Sequence, residues 1–159
     1  MFLNNELHLK ITGTKAVLAL NPVKRIPFFL IFIILSIGLS FSERSAPRMW
    51  IPALMAVLSL LGGLYSEKWD FDTVLDTVVY FRGLPFLGKK IIFPLSSIEE
   101  IRFTHLDKHV RKQRSALAAF LKNGKQYNLD FAYGRTQTES LHKRGQLLAG
   151  FCNRPLTEI

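Results

Sequence analysis

Two long apolar segments in the first half of the chain limit its fold more than any other feature of the sequence. Residues 26–42 and 49–65 contain no ionisable side chain except Tyr65, and charged residues border both segments. Each segment has the length of a short transmembrane helix, which needs about 17 to 25 residues. Residues 43–48 leave room only for a tight turn. The pattern therefore predicts a transmembrane helical hairpin over 24–66, with helices at 26–42 and 49–65.

Two other interpretations of these segments stay open at this point. Buried helices of a soluble core are also apolar, but they usually carry a polar stripe, whereas these segments carry only scattered Ser and Gly. A cleaved signal peptide would account for the first segment alone. The charged lead before residue 26 is longer than a typical signal-peptide n-region, which argues against that interpretation.

The distribution of Lys and Arg around the hairpin predicts its orientation, because cytoplasmic flanks of membrane helices are enriched in these residues. The predicted turn holds only Arg44 and Arg48. The two flanks hold Lys10, Lys15, Lys24 and Arg25 before the hairpin and Lys68, Arg82, Lys89 and Lys90 after it. Both chain termini are therefore expected on the cytoplasmic side. The single Cys152 cannot form an internal disulfide, in agreement with a reducing compartment.

An alternating pattern typical of strands precedes the hairpin and returns after it. In residues 1–23, Leu7, Leu9 and Ile11 alternate with polar residues, and a second apolar run follows Gly13. This predicts an N-terminal strand pair. After the hairpin, turn-forming Gly, Pro and Asn-Gly separate six predicted strands, at 67–71, 77–82, 89–93, 98–104, 115–121 and 126–131. Whether the strand pair joins the later strands stays open.

The last predicted strand has a hairpin signal before it and a two-faced pattern within it. Asn-Gly at 123–124, between two apolar runs, is the strongest short-range hairpin signal. The apolar positions 127, 129 and 131 are expected on a buried face, with Asn128 and Asp130 on the opposite face.

From residue 135 onward the period changes to that of a helix. Thr136 and Glu139 have the spacing of a capping box, and one helical stripe is formed by Leu141, Gly145, Leu148 and Cys152. The expected fold class is a membrane α-helical hairpin plus an α+β domain over 67–159. In that domain an antiparallel, strongly bent sheet or partly open barrel is capped by the C-terminal helix.

Short motifs in the second half of the chain resemble those of a known family. They are WDFD at 69–72, PLSSI at 94–98, LKNGK at 121–125 and NRPL at 153–156. In this order, behind a two-helix hairpin, they resemble the small bacterial two-transmembrane-helix proteins that carry a pleckstrin-homology-like domain. The resemblance implies a protein of the bacterial inner membrane that binds or scaffolds other components and is not an enzyme.

A looser likeness is to the photosystem I assembly proteins of cyanobacteria and chloroplasts, which also place a soluble domain behind a two-helix hairpin. Residues 81–83, Lys89-Lys90, 98–102 and Arg135-Thr136 lie in comparable order, although the basic glycine and proline signature between 81 and 90 is only partly present. This likeness implies an alternative function, as an assembly or accessory subunit of a larger membrane complex. The small residues that would let the hairpin pack closely against other helices are Gly38, Gly62 and Gly63.

The sequence contains no residue pattern that predicts catalysis, a metal site or a cofactor. No nucleophile elbow, P-loop or zinc-protease motif occurs. Asp70 and Asp72 alternate with aromatic residues in a predicted strand, where both are expected to be exposed. His105 and His109 have the spacing of two metal ligands on a helix, but their segment follows a strand and is not expected to be helical. No catalytic residue, metal ligand or cofactor is assigned.

A basic run in residues 108–114 is the strongest binding signal in the sequence. Behind a membrane anchor, such charges are attracted to anionic lipid by roughly 1 kcal/mol each. We expect binding of anionic headgroups or of an acidic partner protein, with solvated loop charges as the alternative. The candidate residues are Arg102, Lys108, Arg111, Lys112 and Arg114, together with Lys89 and Lys90 in another turn.

The identity of the partner stays open beyond these classes. Another membrane protein or a second copy of the chain is compatible with the hairpin. Nucleic acid is not an expected partner, because the basic run has no interleaved aromatic residues.

Overall fold

In the described part of the chain the strands form two sheets. The computed structural model describes residues 7–41, 50–107 and 114–159. The first sheet has five strands in the order of the sequence, and every neighbouring pair is antiparallel. Its strands are β1 (Leu7–Thr12), β2 (Lys15–Leu20), β3 (Ser66–Asp72), β4 (Thr77–Gly83) and β5 (Lys89–Pro94).

The N-terminal strand pair belongs to this first sheet, which answers the question that the sequence left open. β2 pairs with β3 along its length, with Ala16 opposite Phe71 and Leu18 opposite Trp69. All four of these side chains are fully buried. The apolar helices are therefore inserted between two neighbouring strands of one sheet.

The inserted segment contains two helices that pack against each other, α1 (Ile26–Phe41) and α2 (Trp50–Leu64). A short 3-10 helix at Pro22–Arg25 leads into α1. Together they form one helical segment of 20 residues, Pro22–Phe41, which is long and apolar enough to cross a membrane. At about 1.5 Å per residue, this length matches a hydrocarbon core of about 30 Å. α2 has 15 residues and is shorter than a typical span, so the second predicted span is not confirmed.

The second sheet has four strands in the order β8-β7-β6-β9. They are β6 (Ile98–Asp107), β7 (Arg114–Leu121), β8 (Gln126–Tyr133) and β9 (Leu156–Glu158). β9 is parallel to β6, and the other pairs are antiparallel. The sequence analysis did not predict β9, because a strand of three residues is too short to show a period. The six longer predicted strands are confirmed as β3 to β8.

The Asn-Gly turn before β8 has the expected form. The Asn123 side chain accepts a hydrogen bond from the Lys125 N–H, and Gly124 has a φ of 78°. The chain thus reverses at the predicted residues.

A C-terminal helix, α3 (Arg135–Cys152), packs on the second sheet. Its predicted stripe is confirmed, since Leu141, Gly145, Leu148 and Cys152 are all buried. The predicted capping box is wrong. The N-cap is Gly134, which has no side chain, so Thr136 lies inside the first turn and Glu139 pairs with Arg135 instead. At the other end Asn153 takes the left-handed conformation that commonly ends helices.

The expected pattern of buried and exposed residues in β8 holds only up to Leu129. Leu117 of β7 lies opposite Asp130, whereas the next residue, Ala118, lies opposite Asn128, so Leu129 is an extra residue. Such a β-bulge reverses the faces of the residues that follow it. Asp130 is consequently buried at 4% exposure and Phe131 is 41% exposed, the reverse of the expectation.

The core lies between the two sheets and α3, and it is rich in aromatic residues. Trp69 stacks on Tyr80 at 4.1 Å between ring centroids, and Phe93 stacks on Tyr127 at 5.1 Å. Trp69 also meets the Tyr127 ring edge-on at 6.3 Å. Because β3, β4 and β5 belong to the first sheet and β8 to the second, these contacts join the two layers. The described residues thus form an α+β fold of two sheets and three helices.

Candidate membrane-facing site

The strand register determines which loops lie beside the apolar helices. β2 ends at Leu20 and β3 begins at Ser66, directly after α2 and Tyr65. Gly83, the last residue of β4, pairs with Ser66. Since β5 begins at Lys89, opposite Arg82, the β4–β5 loop (residues 84–88) lies at this same end. We call it the helix end of the first sheet, and the opposite end the far end.

Cationic side chains gather at the helix end. They are Lys24 and Arg25 in the 3-10 helix, Arg82 at the end of β4, and Lys89 and Lys90 at the start of β5. Lys89 and Lys90, two of the predicted binding residues, are exposed. The structure thus brings them close to the helices that the sequence predicted as the membrane anchor.

The far end has a different chemistry. Asp72 and Asp76 flank the β3–β4 turn there. The backbone N–H groups of Val74 and Leu75 donate to the Asp72 carboxylate, and the bond from Leu75 is the main reason that the pKa of Asp72 is lowered. Asp72 therefore shapes a turn, and its side chain is only 13% exposed, in contrast to the exposure expected for it.

Four polar side chains at the helix end form a cluster that the sequence analysis missed. The Tyr80 hydroxyl donates to Glu67 Oε1 at 2.8 Å, and Arg82 Nε donates to the Tyr65 hydroxyl at 2.8 Å. Burial and the bond to Glu67 raise the pKa of Tyr80 to about 12. The bond to Tyr65 and the nearby Glu67 carboxylate raise the pKa of Arg82. Glu67 and Arg82 pair across the strands, and this could have been found by aligning the predicted strands 67–71 and 77–82.

A cavity of about 270 Å³ lies between this cluster and strand β8. Glu67, Tyr80 and Arg82 line one side, and residues 128–131 and Tyr133 line the other, with Leu7 of β1 between them. The lining mixes apolar rings with groups of both charges. The cavity has room for a small polar group, and its lining residues Glu67 and Arg82 lie at the helix end.

A buried ion pair fixes one wall of this cavity. Arg144 of α3 donates to Asp130 Oδ2 at 2.8 Å and also to the Leu7 carbonyl. Asp130 Oδ2 accepts in turn from the Leu7 N–H at 3.3 Å. The exposed fractions of the two charged side chains are 13% for Arg144 and 2% for Asp130. This arrangement attaches the first strand of one sheet to the edge strand of the other and to α3.

Most of the predicted basic run cannot be placed on this site. Lys108, Arg111 and Lys112 lie outside the described residues, as does His109. Arg114 is described and exposed. Its guanidinium donates to the Tyr133 hydroxyl at 3.1 Å and lies 5.0 Å from the centre of that ring. Because Tyr133 lines the cavity, Arg114 lies near the rim of the cavity.

Arg102 is separated from the other candidates by its position and its contacts. It lies in the second sheet, where Nε donates to Glu100 at 3.0 Å and the guanidinium covers the Phe120 ring at 4.2 Å. The Thr157 hydroxyl and Arg102 together lower the pKa of Glu100. Through these contacts the Arg102 side chain links β6 to the neighbouring strand β7.

The predicted helix-packing glycines fall into two groups. Gly62 and Gly63 face α1, where an added Cβ would come within 2.8 Å of the Phe28 ring and 3.0 Å of the Phe29 ring. They allow close packing inside the helix pair. Gly38 has no atom within 4 Å of such a Cβ, so its face of α1 is open.

The remaining candidates, His105 and Asp70, contact neighbouring side chains. Within the described ranges, no three His, Cys, Asp or Glu side chains are grouped as a metal site would need. His105 contacts the Ser115 hydroxyl at 3.2 Å and the edge of Phe103. Asp70 pairs with Lys68 at 2.8 Å.

Comparison with known proteins adds no family to this description. No protein-family model matches the chain, and no curated protein is significantly similar to it.

Proposed function

We propose that the chain is an integral membrane protein whose β-domain binds anionic lipid headgroups at the membrane surface and does not act as an enzyme. In this proposal, residues 24–66 form the anchor and both termini are cytoplasmic, at a bacterial inner membrane. The observation that carries it is the register of the first sheet. Arg82, Lys89 and Lys90 stand at the end of the sheet where α2 enters β3.

The fold is compatible with the pleckstrin-homology-like architecture that the motifs suggest. Mainly antiparallel strands with a C-terminal helix packed on them support this architecture, although the strands form two sheets in place of the expected single bent sheet or partly open barrel. The apolar helices add a tether that holds the domain at the bilayer. Each Lys or Arg close to an anionic leaflet contributes roughly 1 kcal/mol of attraction. Two or three of them would therefore fix the orientation of a domain that is already anchored.

A lipid titration of the full chain in neutral maltoside micelles tests this function. We expect short-chain phosphatidylglycerol, but not short-chain phosphatidylcholine, to raise the unfolding temperature, because a ligand of the native state stabilises it. The effect should disappear at high salt, which screens exposed charges. In the variant Lys89→Gln/Lys90→Gln the response to phosphatidylglycerol should be reduced.

The matched control for this experiment is Lys122→Gln/Lys125→Gln. Both lysines are exposed in the β7–β8 turn, and the Lys122 N–H donates to Ser97, next to the Ser96 that contacts Asp76. The turn therefore lies at the far end, and this variant should respond like the unmodified chain. An equal response to both lipids, or equal losses in both variants, would contradict headgroup binding and leave an acidic partner protein as the ligand.

A second candidate function, accessory subunit of a larger membrane complex, is favoured by the open face of α1. None of the side chains of α1 is buried, and Gly38 has free space around it. A photo-crosslinking residue at Gly38 is expected to capture a neighbouring membrane protein if the chain is such a subunit. Met55, half exposed on α2, provides a second position for comparison. Capture of no protein from either position in native membranes would indicate a self-contained anchor.

A further inference from the structure

The β4–β5 loop presents two large apolar side chains to the surroundings. Phe86 is 95% exposed and Leu87 is 84% exposed. Apolar side chains of this size cost free energy in water unless something covers them. Neither the candidate cationic residues nor the helix-packing glycines give a reason for the exposure of these two side chains.

The loop has a defined conformation that holds these side chains outward. At its base Gly83 has a φ of 131°, and a Cβ there would lie 2.7 Å from the Gly88 Cα atom. Only glycine permits this close approach of the two ends of the loop. The Leu87 N–H donates to the Leu84 carbonyl at 3.1 Å, which closes a turn. Phe86 and Leu87 thus form the tip of a narrow, structured loop.

The direction of the loop follows from the register of the sheet. β3 leads away from α2, and β4 is antiparallel to it, so β4 runs back toward α2. Gly83 pairs with Ser66, two residues beyond the end of α2 at Leu64. Two further residues of extended chain span about 7 Å. The tip therefore projects toward the level at which α2 ends.

The flanks of the loop carry positive charge. Arg82 precedes it, and Lys89 and Lys90 follow it. An apolar tip with a cationic base is the pattern by which peripheral segments enter the boundary between headgroups and acyl chains. The apolar part enters the boundary, and the cations remain with the headgroup phosphates.

We propose that Phe86 and Leu87 insert into the membrane interface beside the helix pair and dock the β-domain against the bilayer. This inference rests on the proposed function and extends it, because it assigns an apolar contact that does not require anionic lipid. The occupant of the site is the lipid surface itself.

Fluorescence quenching in reconstituted vesicles tests the insertion on the full chain. Leu87→Cys carries a bimane label in one sample, and Leu75→Cys carries it in the matched control. Leu75 is 69% exposed in the β3–β4 turn, which also exposes Val74 but lies at the far end beside Asp72 and Asp76. The native Cys152 is buried, and burial raises the pKa of its thiol to about 12. It therefore reacts slowly with the label.

Two quenchers read the environment of each label. Nitroxide-bearing lipids should quench the label at position 87 several-fold more strongly than the label at 75, and aqueous iodide should quench it several-fold less. Equal accessibility of both positions to iodide would overturn the insertion. Protection of position 87 from both quenchers would also overturn it, since the loop would then be covered by protein, such as a partner or a second copy.

The lipid composition separates this proposal from headgroup binding. Vesicles are prepared from phosphatidylcholine alone and from a mixture with phosphatidylglycerol. Insertion of the loop predicts strong lipid quenching at position 87 in both kinds of vesicle. Headgroup binding predicts an additional increase with phosphatidylglycerol that Lys89→Gln/Lys90→Gln abolishes. Absence of this increase would contradict headgroup binding and would leave the insertion of the loop uncontradicted. Each proposal is therefore contradicted by a different result.

Discussion

Replacing Arg144 by Met is expected to destabilise the protein by about 3–5 kcal/mol, the cost typical of removing one partner from a buried ion pair. The substitution leaves the Asp130 carboxylate, with 2% of its side chain exposed, without the guanidinium that neutralises it. It also removes the hydrogen bond from Arg144 to the Leu7 carbonyl. The loss therefore affects the attachment of β1 to β8 and α3 together.

Chemical unfolding of the full chain in neutral maltoside micelles measures this effect. The control is Arg135→Met, which breaks an ion pair on the same helix whose side chains are 88% and 64% exposed. Exposed pairs of this kind contribute about 1 kcal/mol or less, so this variant should stay close to the unmodified protein. A loss below about 1 kcal/mol for Arg144→Met would mean that the buried pair does not hold the first strand in place.

A second large effect on stability is expected when the chain is cut before residue 67. A fragment of residues 67–159, the domain boundary that the sequence suggested, is expected not to fold on its own. It lacks Leu7 and Leu18, which are at most 2% exposed in the complete structure. Each buried leucine contributes about 1.5–3 kcal/mol, and whole domains are stable by only about 5–15 kcal/mol. The fragment would also leave the edge of β3 unpaired.

A chain in which Asn-Gly replaces residues 21–66 is expected to fold and to be soluble. Ala19 pairs with Lys68, so Leu20 and Glu67 face each other and can be joined by a two-residue hairpin turn. The replacement removes Trp50 and retains Trp69, which is 1% exposed. The emission of Trp69 should therefore be blue-shifted in the folded state and should change in one cooperative transition on unfolding.

The two chains are measured side by side. Cooperative unfolding of the 67–159 fragment with the same midpoint as the hairpin-replaced chain would contradict a structural role for β1 and β2. If the hairpin-replaced chain did not fold, the helices would have to support the β-domain as well as anchor it.

Features carried by neighbouring residues were predicted well from the sequence. The alternation of apolar residues located β3 to β8, the Asn-Gly pair located the last hairpin, and the stripe from Leu141 to Cys152 gave the buried face of α3. These features depend on local backbone geometry, so a pattern of a few residues contains them. The apolar segment that became α1 was also identified, because its length and its apolar composition can be read directly from the sequence.

Features that depend on distant residues were missed or mistaken. The bulge at Leu129 depends on the pairing of β8 with β7, and it turns Asp130 toward Arg144. The predicted capping box, in contrast, is a local feature, and it was wrong because α3 begins directly after β8, with Gly134 as an N-cap that has no side chain. Arg102 was grouped with the basic run that begins six residues later, and only the structure shows that its guanidinium contacts Glu100 and Phe120 in the second sheet.

The sequence by itself determined the longer strands and helices, and that one segment is apolar enough for a membrane, since these properties follow from local periodicity and composition. Only the tertiary structure decided that the apolar helices are inserted between two paired strands, and that Arg82, Lys89 and the Phe86 loop stand at the same end as those helices. The physical reason is that strand pairing joins residues far apart in the chain. Register, which no local pattern contains, sets which loops share an end of the sheet.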